Sequence, residues 1–350
     1  MIKVVIYGEA NSYGTGAWCY REAFLGQGFE VLVYDSATGL DSYLTKFWWR
    51  IHRRLGGVIP DWIRRAHVLP FLKLCKESVP NVVMVLKGLY LDERDIARIK
   101  ATGAWVINVN HDDFFSKNRN NWSVIQRSAL PVYNYIFTTR EVNVDEVLPF
   151  NANVEFFPFA YNPSIHHICC PEAELGAEVD VLFIGTHEES RAVLMEKLVE
   201  SLPITLEIYG GGWERLRLNS SLKARVKGAG LWGEDMARAI GAAKVSLGFL
   251  RKENRDEYTQ RSFEIPVCGG LFLAERTAAH QRFFIEGVEA DFFNADSADE
   301  LIAKVKALLG DKARRESMRV AGRAAVMRQK HTYEDRIRRL MELYKQWKEV

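Results

Sequence analysis

The stretch DVLFIGTHEESRAVLMEKLVESLPITLEIYGGG (180–212) decides the fold. Its start, DVLFIG (180–185), is a short apolar run ending in glycine, which reads as a buried strand. ESRAVLMEKLVES follows with helical periodicity. TLEIYGGG (205–212) is a second strand closing on three glycines. Two strands joined by a helix-length crossover make a parallel βαβ unit, because a hairpin turn cannot connect parallel neighbours.

The same pattern runs before and after this unit. Upstream, the candidate strands are IKVVIY (2–7), EVLVYD (30–35), NVVMVLK (81–87), WVINVN (105–110), YIFTT (135–139) and VEFFPFA (154–160). Helical patterns lie between them: AWCYREAFLGQG (17–28), DERDIARIKATG (92–103) and REVNVDEVLPF (140–150). Downstream, VSLGFL (245–250), LFLAE (271–275) and DFFN (291–294) supply further strands, and SADELIAKVKALLG (297–310) is a strong helix. The segment 161–179 has two prolines and no period, so it reads as a linker. The expected fold class is α/β, two doubly wound parallel-sheet domains in series. Residues 1–165 form the first and 166–330 the second; the tail breaks near His331–Thr332, leaving 331–350 as a terminal helix.

Composition fits this. The chain has 350 residues, of which 48% are hydrophobic and 26% charged, as in globular proteins of about two domains. Lys and Arg total 47 against 45 Asp and Glu, a net charge of +2, too balanced for a general nucleic-acid binder. The opening MIKVVIYGEA lacks the layout of a signal peptide, and no run is long enough for a membrane span. The five cysteines, Cys19, Cys75, Cys169, Cys170 and Cys268, are irregularly spaced, which suits reduced thiols in a cytoplasm. His166, His167, Cys169 and Cys170 lie too close in sequence to converge on one tetrahedral ion, and no second ligand pair completes a site. They read as a connecting segment, and no metal is expected.

Ligands of open parallel sheets bind beyond the carboxyl ends of the strands. After the first strand, GEANSYGTGAW (8–18) places Gly14 and Gly16 before a helix, where bare N–H groups suit an anion or a close-packed sugar. A tight strand-to-helix turn explains them equally well. The glycine spacing is not G-x-G-x-x-G, so a dinucleotide fingerprint is absent. In the second half, Gly185-Thr186 and Gly210-Gly211-Gly212 end adjacent strands and would form a diphosphate cradle. The segment RKENRDEYTQRSFEIPVCGGLFLAERTAAH (251–280) crowds Arg251, Lys252, Arg255 and Arg261 together. Guanidinium and ammonium groups neutralise a diphosphate without a metal. Asp256 and Glu264 are expected near one face of a helix, and Glu264 could accept both hydroxyls of a ribose. A solvated, salt-bridged helix is the plainer alternative.

RSFEIPVCGG (261–270), LAERTAAH (273–280) and EADFF (289–293) closely resemble the CgeB-like, spore-maturation type glycosyltransferases, which belong with the family 4 retaining enzymes of GT-B fold. HDDFF (111–115), YNYIFTTREVN (133–143) and FFPFAYNPSIHH (156–167) agree. The resemblance implies two Rossmann-like domains facing a cleft, with a nucleotide-sugar donor (UDP-, GDP- or dTDP-linked) on the second and a glycan, lipid-linked or other hydroxyl acceptor mainly on the first. It implies that the terminal helix crosses back to the first domain. Glu264 matches the second acidic position of the family's E-x7-E motif, a ribose contact. Asp256 falls at the first, the sugar contact, as Asp rather than Glu. Arg251 sits where a basic residue meets the diphosphate, with Tyr258 and Arg261 beside it. His111 stands where related enzymes place a cleft histidine near the transferred sugar, and Asp112 or Asp113 can fill that role in its place. The implied transfer is retaining and needs neither metal nor other cofactor. The alternative is a catalytically inactive nucleotide- or sugar-binding protein on the same scaffold.

KFWWRIHRRLGGVIPDWIRRAHVLPFL (46–72) holds three of the nine tryptophans among Arg50, Arg53, Arg54, Arg64 and Arg65. It reads as helices whose rings pack on the sheet. Peripheral contact with an inner membrane face is the second reading, and single-stranded nucleic acid a distant third.

Overall fold

The computed structural model describes residues 1–9, 13–36, 47–48, 51, 61–116, 121–169 and 179–349. Trp49, Arg50, Arg53, Arg54 and Cys170 lie outside them.

The chain divides into two compact units. The first comprises Met1–Phe159, Arg251–Asp256 and Tyr333–Val350; the second comprises Ala160–Leu250 and Glu257–Thr332. The first is a six-stranded sheet of β1 (Lys3–Gly8), β2 (Glu30–Asp35), β3 (Val82–Leu86), β4 (Trp105–Asn110), β5 (Tyr135–Thr138) and β6 (Val154–Phe156). Their order is β2-β1-β3-β4-β5-β6, parallel throughout. The second is β7 (Val179–Ile184), β8 (Leu206–Tyr209), β9 (Val226–Gly228), β10 (Ala243–Gly248), β11 (Phe272–Glu275) and β12 (Asp291–Phe293), ordered β12-β11-β10-β7-β8-β9 and also parallel. Central strands such as β4 are buried at every position, which is why they read as continuous apolar runs rather than alternations. Each unit has its own core, Val5, Val83, Phe71 and Ile96 in one, Val181, Met195, Val245 and Leu301 in the other.

These topologies place the sites. Strand order reverses between β1 and β3 in the first unit and between β7 and β10 in the second. Crevices open at such switch points, so the loops at the carboxyl ends of the strands around them are placed to meet a ligand.

Two expectations need correction, and one strand has no counterpart in the sequence reading. The strand expected over 154–160 stops at Phe156, because Pro158 cannot donate to a ladder. The edge strand β9 carries only three residues, too few for its pattern to show. The helix expected to carry both Asp256 and Glu264 covers only Arg261–Val267. Lys252–Asn254 is a single 3-10 turn, and Arg255, at φ 48°, ends it in the left-handed region. Asp256 and Glu264 therefore share no helix face.

Candidate functional site

In the second unit the loops after β7 and β8 lie against each other. His187 N–H donates to Gly211 O at 2.9 Å and Gly185 N–H to Tyr209 O at 2.8 Å. A Cβ built on Gly210, whose φ is +155°, would stand 1.9 Å from the Gly185 carbonyl oxygen. Only glycine permits that approach. Trp213 Nε1 donates to the same carbonyl at 2.9 Å, and its ring meets His187 edge-on. Gly211 is exposed, with nothing within 4 Å of where its Cβ would be. Thr186 is exposed too, and the buried Arg191 grips its carbonyl at 3.0 Å while pairing with Glu188 at 3.2 Å. Sequence reading missed Arg191, which looks like an ordinary helix-surface arginine.

Glu264 lies on the short helix Arg261–Val267 and is 2% exposed. One carboxylate oxygen meets Arg261, and the other faces His166 Nε2 at 3.3 Å. His166 Nδ1 accepts from the Asn162 N–H at 3.1 Å. A ring accepting at Nδ1 is neutral, with its proton on Nε2 facing Glu264. Burial holds its pKa below the usual histidine range against the pull of Glu264. One histidine of the segment read as a connector thus lies against the acid. Among the described residues no group of His, Cys, Asp and Glu could hold a metal ion. His280, from LAERTAAH, is fully buried. Its Nδ1 donates to Glu275 O at 2.7 Å, and its Nε2 accepts from Ser262 Oγ at 2.9 Å. It ties β11 to the Glu264 helix, and burial lowers its pKa to about 4. Tyr258 is 4% exposed and packs between Phe263 and Phe283.

The first unit gathers the other residues. His111 follows β4, half-buried, with Gly16 against its ring. A Cβ on Gly16 would lie 3.3 Å from His111 Cε1. Tyr20 and Phe159 flank the ring. Burial lowers the His111 pKa to about 4, partly opposed by Asp112, so the imidazole is neutral at pH 7. Gly14 has φ +78° and turns the chain into the helix Gly16–Gly26. Asp112 pairs with Lys87 at 2.6 Å. Asp113 is fully buried. It accepts two bonds from Arg255 at 2.6 Å, one from Asn143 at 2.8 Å and one from Phe115 N–H at 2.8 Å. Burial alone would raise its pKa, but these donors hold it below the usual carboxylate range. Arg255 also meets Glu146 at 2.8 Å. Asp256 is ion-paired with Arg140, whose other nitrogens reach His111 O at 2.7 Å and Asn254 O at 2.8 Å. Arg140 and Arg255 thus pin the segment 251–256. Arg251 and Lys252 stand exposed at its start. Asp113 and Asp256 are therefore internal counter-ions here, not open carboxylates. The spacing of charges in sequence gave no sign of it.

Residues 191–342 match a family model described as glycosyl transferase-like. Comparison with curated proteins finds no significant match. Among solved structures, the chain is similar to sucrose-phosphate synthase from Thermosynechococcus elongatus, with a TM-score of 0.68 at 12% identity over 99% of each chain. It is also similar to Anabaena HepE in complex with UDP-glucose, at 0.69 and 11% over 98% of this chain and 100% of that one. A third similar structure is OtsA, at 0.65 and 11% over 99% of each. Two Rossmann-like units of this topology place the chain on the GT-B fold, and its residues 191–342 form a glycosyl transferase-like domain.

Proposed function

We propose that this protein transfers a sugar from a nucleotide-sugar to a hydroxyl acceptor with retention and without a metal, and that it belongs with the CgeB-like branch. The observation that carries the reading is the loop pair Gly185–Thr186 and Gly210–Gly212. Its glycines are required by close packing at Gly210 and left open at Gly211. Backbone amides there, with Arg261, suit the charge that builds on a departing diphosphate. Glu264 is the ribose acceptor on this reading. Arg261 pairs with it, and on this reading its guanidinium turns to the diphosphate when the donor binds. A retaining transfer in which the leaving phosphate takes the acceptor proton relies on positioning more than on a protein nucleophile. The full occupation of Asp113 and Asp256 by arginines is compatible with that. HepE was solved with UDP-glucose, which supports UDP-sugars as the first donors to try. Among the described residues no helix is long and apolar enough to cross a membrane. Peripheral membrane contact and a cytoplasmic location remain part of the proposal.

The test is a thermal-shift screen with UDP-, GDP- and dTDP-sugars, followed by transfer assays. One nucleotide-sugar should raise Tm, and both Glu264→Gln and Arg261→Ala should weaken that shift at least tenfold in ligand concentration. A shift with NAD and none with nucleotide-sugars would overturn the reading. A donor shift with no transfer to any acceptor would leave a binding protein.

A further inference from the structure

The helix Glu189–Ser201 of the second unit carries Arg191 in its first turn. That end of a helix is already positive, so a cation there is unfavourable. Arg191 is also only 4% exposed, and arginine is rarely buried without partners. Its guanidinium lies 6.0 Å from the centre of the Phe183 ring and donates to Thr186 O at 3.0 Å. It pairs with Glu188 at 3.2 Å. The Glu188 side chain is 31% exposed, so water screens part of that pair.

The carbonyl that Arg191 holds begins a chain of two peptide planes. Thr186 C=O and His187 N–H belong to one peptide unit, and in a trans unit they point in opposite directions. His187 N–H donates to Gly211 O at 2.9 Å. Gly211 C=O and Gly212 N–H belong to a second unit and are opposed in the same way. Gly212 N–H has no acceptor among the described residues. Gly212 has φ +86°, and a Cβ there would lie 3.3 Å from His187 Cβ, so the two loops meet this closely through glycine. The order is Arg191, peptide 186–187, peptide 211–212, open N–H. Bonds in such a chain polarise one another, so a cation at one end strengthens the donor at the other.

We infer that Arg191 is a positioning residue for a diphosphate. It polarises this chain from its buried end, and Gly212 N–H meets the anion at the open end. Arg191 acts through the backbone and does not touch the ligand. An anion beyond Gly212 also offsets the unfavourable placement of a cation at the helix start. The inference rests on the transferase reading and names the residue that prepares its donor loop.

The probes are inorganic pyrophosphate and UDP, titrated by calorimetry into the whole protein and its Arg191→Gln, Arg191→Lys and Glu188→Gln variants. Arg191→Gln keeps a donor for Thr186 O but no charge, and should weaken both probes about tenfold. Arg191→Lys keeps the charge and should recover most of that loss. Glu188→Gln removes the opposing charge and should tighten both probes about twofold. A residue that only braces the loop gives a different pattern: Arg191→Gln and Glu188→Gln both loosen binding, and affinity follows the ligand-free Tm. That pattern overturns the inference, as does pyrophosphate affinity unchanged in Arg191→Gln. In both cases UDP binding by the wild type leaves the donor reading standing. Binding of neither probe by the wild type also overturns the inference. If pyrophosphate shows the expected pattern but no nucleotide-sugar binds the wild type, the donor reading fails and the role of Arg191 at an anion site stands.

Discussion

The strand ends of the two units solve opposite problems. Beyond β4 and β5 of the first unit, charge meets charge: Asp113 with Arg255, Asp256 with Arg140, Asp112 with Lys87. Beyond β7 and β8 of the second, the chain is mostly bare backbone, with one glycine pressed on a carbonyl and the next open. Side-chain networks that satisfy themselves hold a segment in place, and they have little left for a ligand. Glycine loops fill no space and leave amides to offer. Both regions look alike in sequence, as polar turns after apolar strands, yet one is closed by its own side chains and the other keeps an open glycine.

The largest expected effect tests the closed region. Asp113→Ala leaves Arg255 with one partner fewer and empties the center of the network. Breaking a buried ion pair costs about 3–5 kcal/mol, read as a drop in the denaturation midpoint. A change below about 1 kcal/mol would mean that the network does not hold the segment 251–256. Next is acid. The neutral, fully buried His280 has its pKa lowered to about 4 from the ordinary histidine value of about 6.5. The unfolded chain takes up that proton first, so stability is complete above about pH 6.5 and falls as pH drops toward 4. The loss is on the order of 3 kcal/mol. His280→Asn should flatten that part of the stability–pH curve. The glycine region is tested by a pair. Gly210→Ala drives a methyl into the Gly185 carbonyl and should cost about 1–3 kcal/mol, whereas Gly211→Ala should shift stability by less than about 0.5 kcal/mol. If Gly211→Ala nonetheless weakens the nucleotide-sugar shift, the open glycine is where the ligand lies. If neither change affects that shift, the loop pair is not the cradle. The smallest effect concerns His111. Since its imidazole is already neutral at pH 7, activity should show no titration of this group near pH 6.5. A pH–rate profile that bends there would show that another environment sets its pKa.

Sequence reading found the parallel strands because buried strands need unbroken apolar runs, as at Val82–Leu86 and Trp105–Asn110. It found the glycine loops because three glycines in a row have a high entropic cost without a reason. It misread the region 251–264 as one helix. Charged residues at near-helical spacing say nothing of their partners, and Arg255 in a left-handed turn is not written in its neighbours. Part of the tryptophan surplus lies outside the described residues. Of the described rings, Trp105 and Trp213 are buried while Trp62 and Trp232 are exposed.

The sequence by itself determined the element order, the restart of the βαβ pattern at Asp180 and the glycines that any anion site here would use. Local periodicity and backbone freedom are properties of neighbouring residues. Tertiary structure alone decided which acids are open. Glu264 took Arg261 and a neutral His166, Asp113 took Arg255 across 142 positions, and Asp256 took Arg140 across 116. A carboxylate's availability depends on what folding brings within a few ångströms of it.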